Sequence, residues 1–426
     1  MNPVDVAGLP VGEGHPPRIM GVLNMSVESN YDPSTWGDVD EAVAHAEQMA
    51  AEGADIIDVG LQSSNPKNPW QAVDTELDRL ERALDVLDAA DCDAVWSIET
   101  RYAEVADAAL DGGFDMVNDV CGFADPDMPD VCEKHDAAVV KMASPPDIQS
   151  PGHLKSTDDC FAALARGGFT EKTIIDPAFG GWYDEKTHED NWEMFRRLRE
   201  FRAFNRPMLT ATNREDFLGV IADRPETEDQ LAVSIAAATM EVERGADIVR
   251  THDVPETADA VEVADFLGDR RAAESGPAAD EIDEPADHFA AELTSVTPRE
   301  VARNTSLRTH EAVDPAEAAT LAITTGELPT DAREELMSIS SAAGLLVAAG
   351  DPGAHASLAH VDTADNDADG GQGSQPAGQG TFVAGTYAAF EDALPELAET
   401  PGLDALTAAV GDALEREEVA SATAEQ

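Results

Sequence analysis

Eight short apolar runs in the first 253 residues each end on, or run into, side chains that can carry charge or donate and accept hydrogen bonds. Ile19–Leu23 leads to Asn24, and Asp55–Val59 carries Asp58 and runs on to Gln62–Pro66. Ala94–Ile98 leads to Glu99 and Thr100, Met116–Asn118 to Asn118 and Asp119, and Ala138–Met142 carries Lys141. Thr173–Ile175 leads to Asp176, Met208–Ala211 to Asn213 and Arg214, and Asp247–Arg250 to Arg250, His252 and Asp253. Taken singly, a polar residue at such a place caps a helix or turns the chain. Gathered on one face, these carboxylates, amides and cations form a polar ring able to bind and transform a small molecule.

The elements between the runs decide whether they are gathered. In the stretch Arg18–Tyr31, RIMGVLNMSVESNY, a segment short enough for one buried strand turns abruptly polar at Asn24. The same transition recurs after each apolar run. Helical periodicity fills the gaps at Val39–Ala51, Ala72–Ala89, Tyr102–Leu110, Pro126–Lys134, Thr157–Ala165, His188–Phe204 and Glu228–Arg244, with Glu256–Phe266 after the last run. Three helix-to-strand junctions repeat one phrase, in Glu52–Ile57, Asp111–Met116 and Arg244–Val249, where a glycine just past the helix end takes the left-handed conformation cheaply. Strict alternation over about 250 residues predicts a (β/α)8 TIM barrel, in which all eight strand ends meet at one mouth. The alternative, a doubly wound open sheet, finds no GxGxxG turn after the first strand.

The barrel is expected to occupy residues 1–268. An Ala-, Pro- and acid-rich linker follows at 269–287, and then an α-rich region at 288–426, with helices at Pro298–Arg303, Asp314–Thr325, Thr330–Ala349 and within Thr386–Glu415. Asp362–Gly380 is low-complexity and reads as disordered. This half carries no catalytic constellation.

The net charge of −59, from 86 acidic and 27 basic residues, disfavours nucleic-acid binding, because phosphate contacts need a basic face. Acid spread through helical segments points to a solvated surface in a salt-rich cytoplasm, where salt screens self-repulsion. The cysteines, Cys92, Cys121, Cys132 and Cys160, have no CxxC spacing and read as reduced, mostly buried thiols. The N-terminus lacks a basic start followed by an apolar core, and no apolar run approaches a membrane span, so a cytoplasmic protein without membrane contact is expected.

Six segments, in order and at fitting spacing, resemble dihydropteroate synthase and the wider pterin-binding family: Ile19-Met-Gly-Val-Leu-Asn24-Met-Ser, Ala54-Asp-Ile-Ile-Asp58-Val-Gly, Ser97-Ile-Glu99-Thr100 with Ala103-Glu-Val, Asn118-Asp-Val, Ile174-Ile-Asp176-Pro and Arg250-Thr-His252-Asp-Val. The resemblance covers about residues 17–267 and has a halophilic, archaeal look. It implies a TIM barrel that joins hydroxymethyl-dihydropterin diphosphate to p-aminobenzoate, releasing diphosphate with the help of Mg2+. Asp176 would then accept from the 2-amino group and ring nitrogen of the pterin, with Asn118 completing that edge and Glu99 and Arg214 among the substrate contacts. Arg250 and His252 would hold the diphosphate, and Asn24 would offer its amide oxygen to the metal. Barrels of this family usually dimerise, so a homodimer is expected.

The departures carry information too. The family's loop arginine after the second strand is Asn65, its third-strand aspartate is Glu99, and its lysine after the seventh strand is Glu215. No lysine follows Lys186. Lys141 is expected to face the same mouth and to supply the missing charge, which adds it to Asp176, Arg250 and His252 as a catalytic candidate. Three readings stay open: an active synthase, a pterin-binding one-carbon (methyl) transferase working with a corrinoid partner, and a catalytically inactive paralogue.

Overall fold

The computed structural model describes residues 3–12, 14–26, 38–62, 70–267, 297, 320–325, 328, 330–349 and 381–414, the last apart from 405 and 412. The chain divides into two compact units, Met1–Glu292 and Leu293–Gln426. The linker at 269–287, the segment at 362–380, the span Pro298–Arg303, the residues around Asn65 and the loop beyond Ser26 lie outside the described residues.

The first unit is an eight-stranded parallel barrel. Its strands are β3 (Arg18–Asn24), β4 (Ile56–Gly60), β5 (Val95–Thr100), β6 (Met116–Asp119), β7 (Ala138–Met142), β8 (Thr173–Asp176), β9 (Leu209–Thr210) and β10 (Ile248–Thr251). They pair in the order β8-β7-β6-β5-β4-β3-β10-β9. A parallel bridge from Ile175 to Met208 closes the ring, with the Ile175 amide donating to the Pro207 carbonyl at 2.9 Å. Each strand is buried on both faces, which is why the apolar runs are nearly continuous.

The repeated junction phrase sets the register. Gly53, Gly113 and Gly245 take φ of 108°, 109° and 100°, so the chain leaves the helix in the left-handed region that favours glycine. Two residues on, Asp55, Asp115 and Asp247 each accept from a backbone amide of the neighbouring strand: Ile19, Trp96 and Met208, all at 2.9 Å. Their own amides donate back to the carbonyls of those residues at 2.9, 2.9 and 2.7 Å. Each pair of bonds fixes one strand against the next at its start.

A short hairpin, β1 (Val4–Val6) with β2 (Leu9–Val11), closes the same end. Val4, Val6 and Val11 pack with the inward residues Met20, Ile56, Val95, Met116, Val140, Ile174, Leu209 and Ile248 as one buried cluster. Nothing in the sequence reading anticipated this plug. Around the barrel run α1 (Val39–Ala51), α2 (Val73–Ala89), α3 (Ala103–Asp111), α4 (Met128–Lys134), α5 (Thr157–Ala165), α6 (His188–Arg196), α7 (Asp216–Ile221), α8 (Leu231–Glu243) and α9 (Val254–Leu267). Most match their expected spans. The run His188–Phe204 changes to a 3-10 helix at Leu198, and α7 is an additional short helix. Capping boxes at Ser156/Asp159 and Thr187/Asp190 start α5 and α6. The four cysteines are free thiols, three of them buried. No helix among the described residues is long and apolar enough to cross a membrane.

The second unit is helical at Thr330–Ala343 and Tyr387–Glu399, as expected in both places. Two expected helical stretches are corrected. Thr320–Thr325 (β11) and Leu346–Ala349 (β12) are strands, and with Thr381–Thr386 (β13) they form an antiparallel sheet in the order β11-β13-β12. The β-branched run Thr320-Leu-Ala-Ile-Thr-Thr325 carries the reason, because such side chains lose rotamer freedom in a helix and pack well on a pleated sheet.

Candidate functional site

Side-chain alternation along the strands sends one set of residues to the barrel axis. On β4, Ile57 and Val59 pack outward against the helices while Ile56 lies in the axial cluster, so Asp58 points inward. The same parity turns Ser97 and Glu99 on β5, Asn118 on β6, Asp176 on β8 and Arg250 on β10 toward the axis. Asp58 is fully buried and accepts from the Ser97 hydroxyl at 2.7 Å, the Asn118 amide at 3.0 Å and Arg250 Nε at 2.8 Å. Arg250 Nη2 donates to Glu99 at 2.6 Å, so one guanidinium bridges two buried carboxylates.

The electrostatics of this cluster are lopsided. Burial pushes Glu99 up to about 7 even though Arg250 opposes it. Burial would loosen the proton of Arg250, but Asp58 and Glu99 outweigh it and hold the guanidinium charged above its usual range. Asp176 ends β8 with the amide of Ala178 donating to Oδ1 at 2.7 Å, and burial raises it to about 6.

The remaining expected residues fall in different places. Asn24 ends β3 at the mouth, with Oδ1 accepting from the Ser26 amide at 3.0 Å and the Ser26 hydroxyl at 2.7 Å. It is a hard, neutral oxygen, of the kind that can ligate a divalent cation. His252 is held at its backbone amide by Asn213 Oδ1 at 3.1 Å. Burial and the Arg250 charge lower it to about 4, so its imidazole is neutral at pH 7 and can donate a hydrogen bond without carrying charge. Arg214 is committed to the protein: it grips Asp253 with two bonds of 2.8 Å and donates to the carbonyls of Thr227 and Glu228.

Lys141 is a correction. It shares the outward parity of Val139, and its ammonium donates to the carbonyls of Leu164, Arg166 and Gly168 at 3.0, 2.6 and 2.8 Å. It therefore caps the C-terminal end of α5 behind the sheet, between the rings of Phe123 and Phe169, and does not face the mouth. Burial lowers it to about 8. Ala138-Val-Val-Lys-Met142 offers no alternation from which that parity could be read.

The sequence reading also missed several residues. Ser97 steadies Asp58. Glu76, fully buried on α2, accepts from Gln62 at 2.5 Å and from Thr100 at 2.7 Å, tying the ends of β4 and β5 together. Glu241 on α8 accepts from Thr210 and Thr212 beneath the β9 end. Lys186, in the loop after β8, is 7% exposed and donates to the Ala178 carbonyl at 2.6 Å. Glu215 lies against the same loop: a Cβ on Gly180 would stand 2.9 Å from its Oε1, and the Gly181 amide bonds to its carboxylate. Periodicity marks these residues only as breaks in apolar patterns. Asp107, Asp111 and His135 could also share a metal, but they lie on the helical layer at α3 and α4, and Asp107 already binds Lys134 and His135.

The described arrangement matches known proteins. Residues 20–252 match the family model described as "Pterin binding enzyme". A probable bifunctional folylpolyglutamate synthase/dihydropteroate synthase from Halobacterium salinarum is 37% identical over 268 residues, which are 59% of this chain and 32% of that protein. The chain thus spans about a third of the length of that relative. A dihydropteroate synthase from Synechocystis is 33% identical over 279 residues, covering 61% of this chain and 94% of that protein. Among solved structures, a dihydropteroate synthase from Clostridium difficile in the presence of pteroic acid superposes with a TM-score of 0.52 at 32% identity, over 60% of this chain and 98% of the other. With more than half its length matched by the family model and the axial carboxylates, Asn118 and Arg250 converging at one mouth, the chain belongs to the pterin-binding enzyme family.

Proposed function

We propose that this chain is a dihydropteroate synthase, joining hydroxymethyl-dihydropterin diphosphate to p-aminobenzoate and releasing diphosphate. The observation that carries this reading is Asp176, a buried carboxylate on the barrel axis near enough to Arg250 to feel its charge, with Oδ1 engaged by the Ala178 amide. The pterin's 2-amino group and ring N–H would donate to Asp176, and Asn118 would complete that edge. The arylamine is nucleophilic when neutral. Its nitrogen attacks the exocyclic methylene, the carbon–oxygen bond to diphosphate breaks with its electron pair leaving on the diphosphate, and the new secondary amine loses a proton to water. No strong base is needed, so orientation and stabilisation of the departing anion supply most of the rate.

Arg250 would meet the diphosphate while still bridging Asp58 and Glu99, and His252 would add a neutral donor. Asn24 would hold magnesium, which supplies positive charge to the leaving group when bound. We further infer a homodimer formed through α7, α8 and α9, where Val220, Ile221, Met240, Val263, Phe266 and Leu267 are exposed on an otherwise strongly acidic protein. The same acidity suits the salt-rich cytoplasm of a halophilic archaeon.

The test is calorimetric titration in molar salt with magnesium, first with the pterin diphosphate and then with p-aminobenzoate, followed by assay of released diphosphate. Binding followed by release is expected. Absence of binding, or binding with no release, overturns the assignment.

A further inference from the structure

We propose that the Nε/Nη2 edge of Arg101 binds one chloride ion, enclosed among the loops at the open end of the barrel. The inference is independent of the synthase reading, since it concerns what holds those loops together and not the ligand they serve.

A guanidinium taken out of water is destabilising unless partners replace its hydration. Other largely buried arginines have such partners: Arg250 lies on Asp58 and Glu99, Arg197 on Asp158 and Glu200, and Arg214 on Asp253. Arg101 is 1% exposed, yet among the described residues it forms no ion pair. Its Nη1 donates to the Ile148 carbonyl at 3.1 Å, and one face of the guanidinium lies 3.8 Å from the centre of the Trp70 ring. Nε and Nη2 are buried with no hydrogen-bond partner. Glu76 and Glu99 feel the Arg101 charge through space, but Glu76 accepts from Gln62 and Thr100, Glu99 accepts from Arg250, and burial opposes the charge of both.

The unmatched edge fits a small anion. Its Nε–H and one Nη2–H run parallel in the guanidinium plane, forming the fork with which arginine holds an anion. Neither nitrogen reaches solvent, so the edge suits a single-atom ligand and is closed to a substrate carboxylate or phosphate. Water of that size brings no charge. Chloride does, and it is abundant at the salt concentration that a net charge of −59 calls for. The surroundings give the ion a role. Arg101 directly follows β5, Trp70 belongs to the loop after β4 and Ile148 to the loop after β7, while Cys121, after β6, donates from its thiol to the same Ile148 carbonyl at 3.5 Å. A bound chloride neutralises the cation where these loops meet, so salt acts on the open end by binding as well as by screening.

Screening depends on ionic strength, whereas a bound ion depends on which anion is supplied. The thermal unfolding midpoint of the full chain is therefore measured for wild type and Arg101→Met in molar potassium glutamate, whose anion is too large for the closed edge, and in potassium chloride of equal molarity. In glutamate, Arg101→Met should be at least as stable as wild type, because methionine leaves no unpaired buried cation. On passing to chloride, wild type should gain about 5 °C more than the variant, the shift for an ion present at about 100 times its dissociation constant. The general effects of the two anions act on both chains alike and cancel in this difference. Equal responses of the two chains overturn the proposal. Should the variant fail to fold, crystals of wild type grown in bromide decide: an anomalous-scattering peak on the Nε/Nη2 edge is expected, and water at that edge, with bromide confined to the surface, overturns the proposal. Neither measurement involves diphosphate release, so failure here leaves the synthase reading standing.

Discussion

The two ends of the barrel use the same residue types for opposite purposes. At the closed end, Asp55, Asp115 and Asp247 each exchange hydrogen bonds with the backbone of the next strand, and a valine hairpin fills the axis beneath them. At the open end, Asp58, Glu99 and Asp176 face the axis, burial opposes the charge of Glu99 and Asp176, and one arginine is shared between Asp58 and Glu99. A carboxylate at a strand start is spent on register. A carboxylate at a strand end is held on the axis by an arginine, an amide or a hydroxyl drawn from another strand or loop, and this concentration of polar groups marks the functional end physically.

The sharpest way to break this contrast is Arg250→Met. It leaves Asp58 and Glu99 buried without their cation, so a loss of about 3–5 kcal/mol in denaturant unfolding is expected. Diphosphate release should fall at least about 100-fold. A variant that kept both would show that the open-end charges are not coupled.

Asp176→Asn should separate function from stability. In the folded protein this carboxyl keeps its proton up to about pH 6 rather than 3.8. Between those values the folded state binds more protons than the unfolded one, so the stability contributed by this group falls as pH rises. The asparagine variant should therefore be at least as stable as wild type at pH 7, while pterin affinity, read by calorimetry, drops about 100-fold through lost charged hydrogen bonds. For the same reason, pterin affinity of wild type should weaken as pH falls below about 6.

At the closed end the expectation reverses. Val6→Ala removes two buried carbon atoms from the plug and should cost about 2 kcal/mol, with catalysis per folded molecule unchanged. Asp115→Ala leaves the Trp96 amide without its acceptor and should cost about 1–2 kcal/mol, again without changing the rate of diphosphate release. A change in that rate from either variant would mean that the two ends are not independent.

Much of this was written in the chain. Eight apolar runs alternating with helical periodicity led to the barrel, and the Gly-x-Asp phrase located three junctions whose left-handed glycines the structure bears out. Asn24, Glu99, Asn118, Asp176, Arg250 and His252 were legible as residues at strand ends, because a buried parallel strand tolerates polar groups mainly where it stops. The strands β11 and β12 were not, since short segments containing β-branched residues lie within reach of both helix and strand patterns.

Sequence determined the order of elements, the acidic surface and the set of residues available to the mouth, because hydrophobic periodicity and local turn chemistry act over a few neighbouring positions. Only tertiary structure decided which of those residues meet. In a strand buried on both faces, parity carries no hydrophobic signature, so Lys141 could not be told from an axial residue until Val139 and Val140 were placed. Arg250 meets Asp58 and Glu99 across 192 and 151 residues of sequence, contacts between segments that are adjacent only once the barrel has closed.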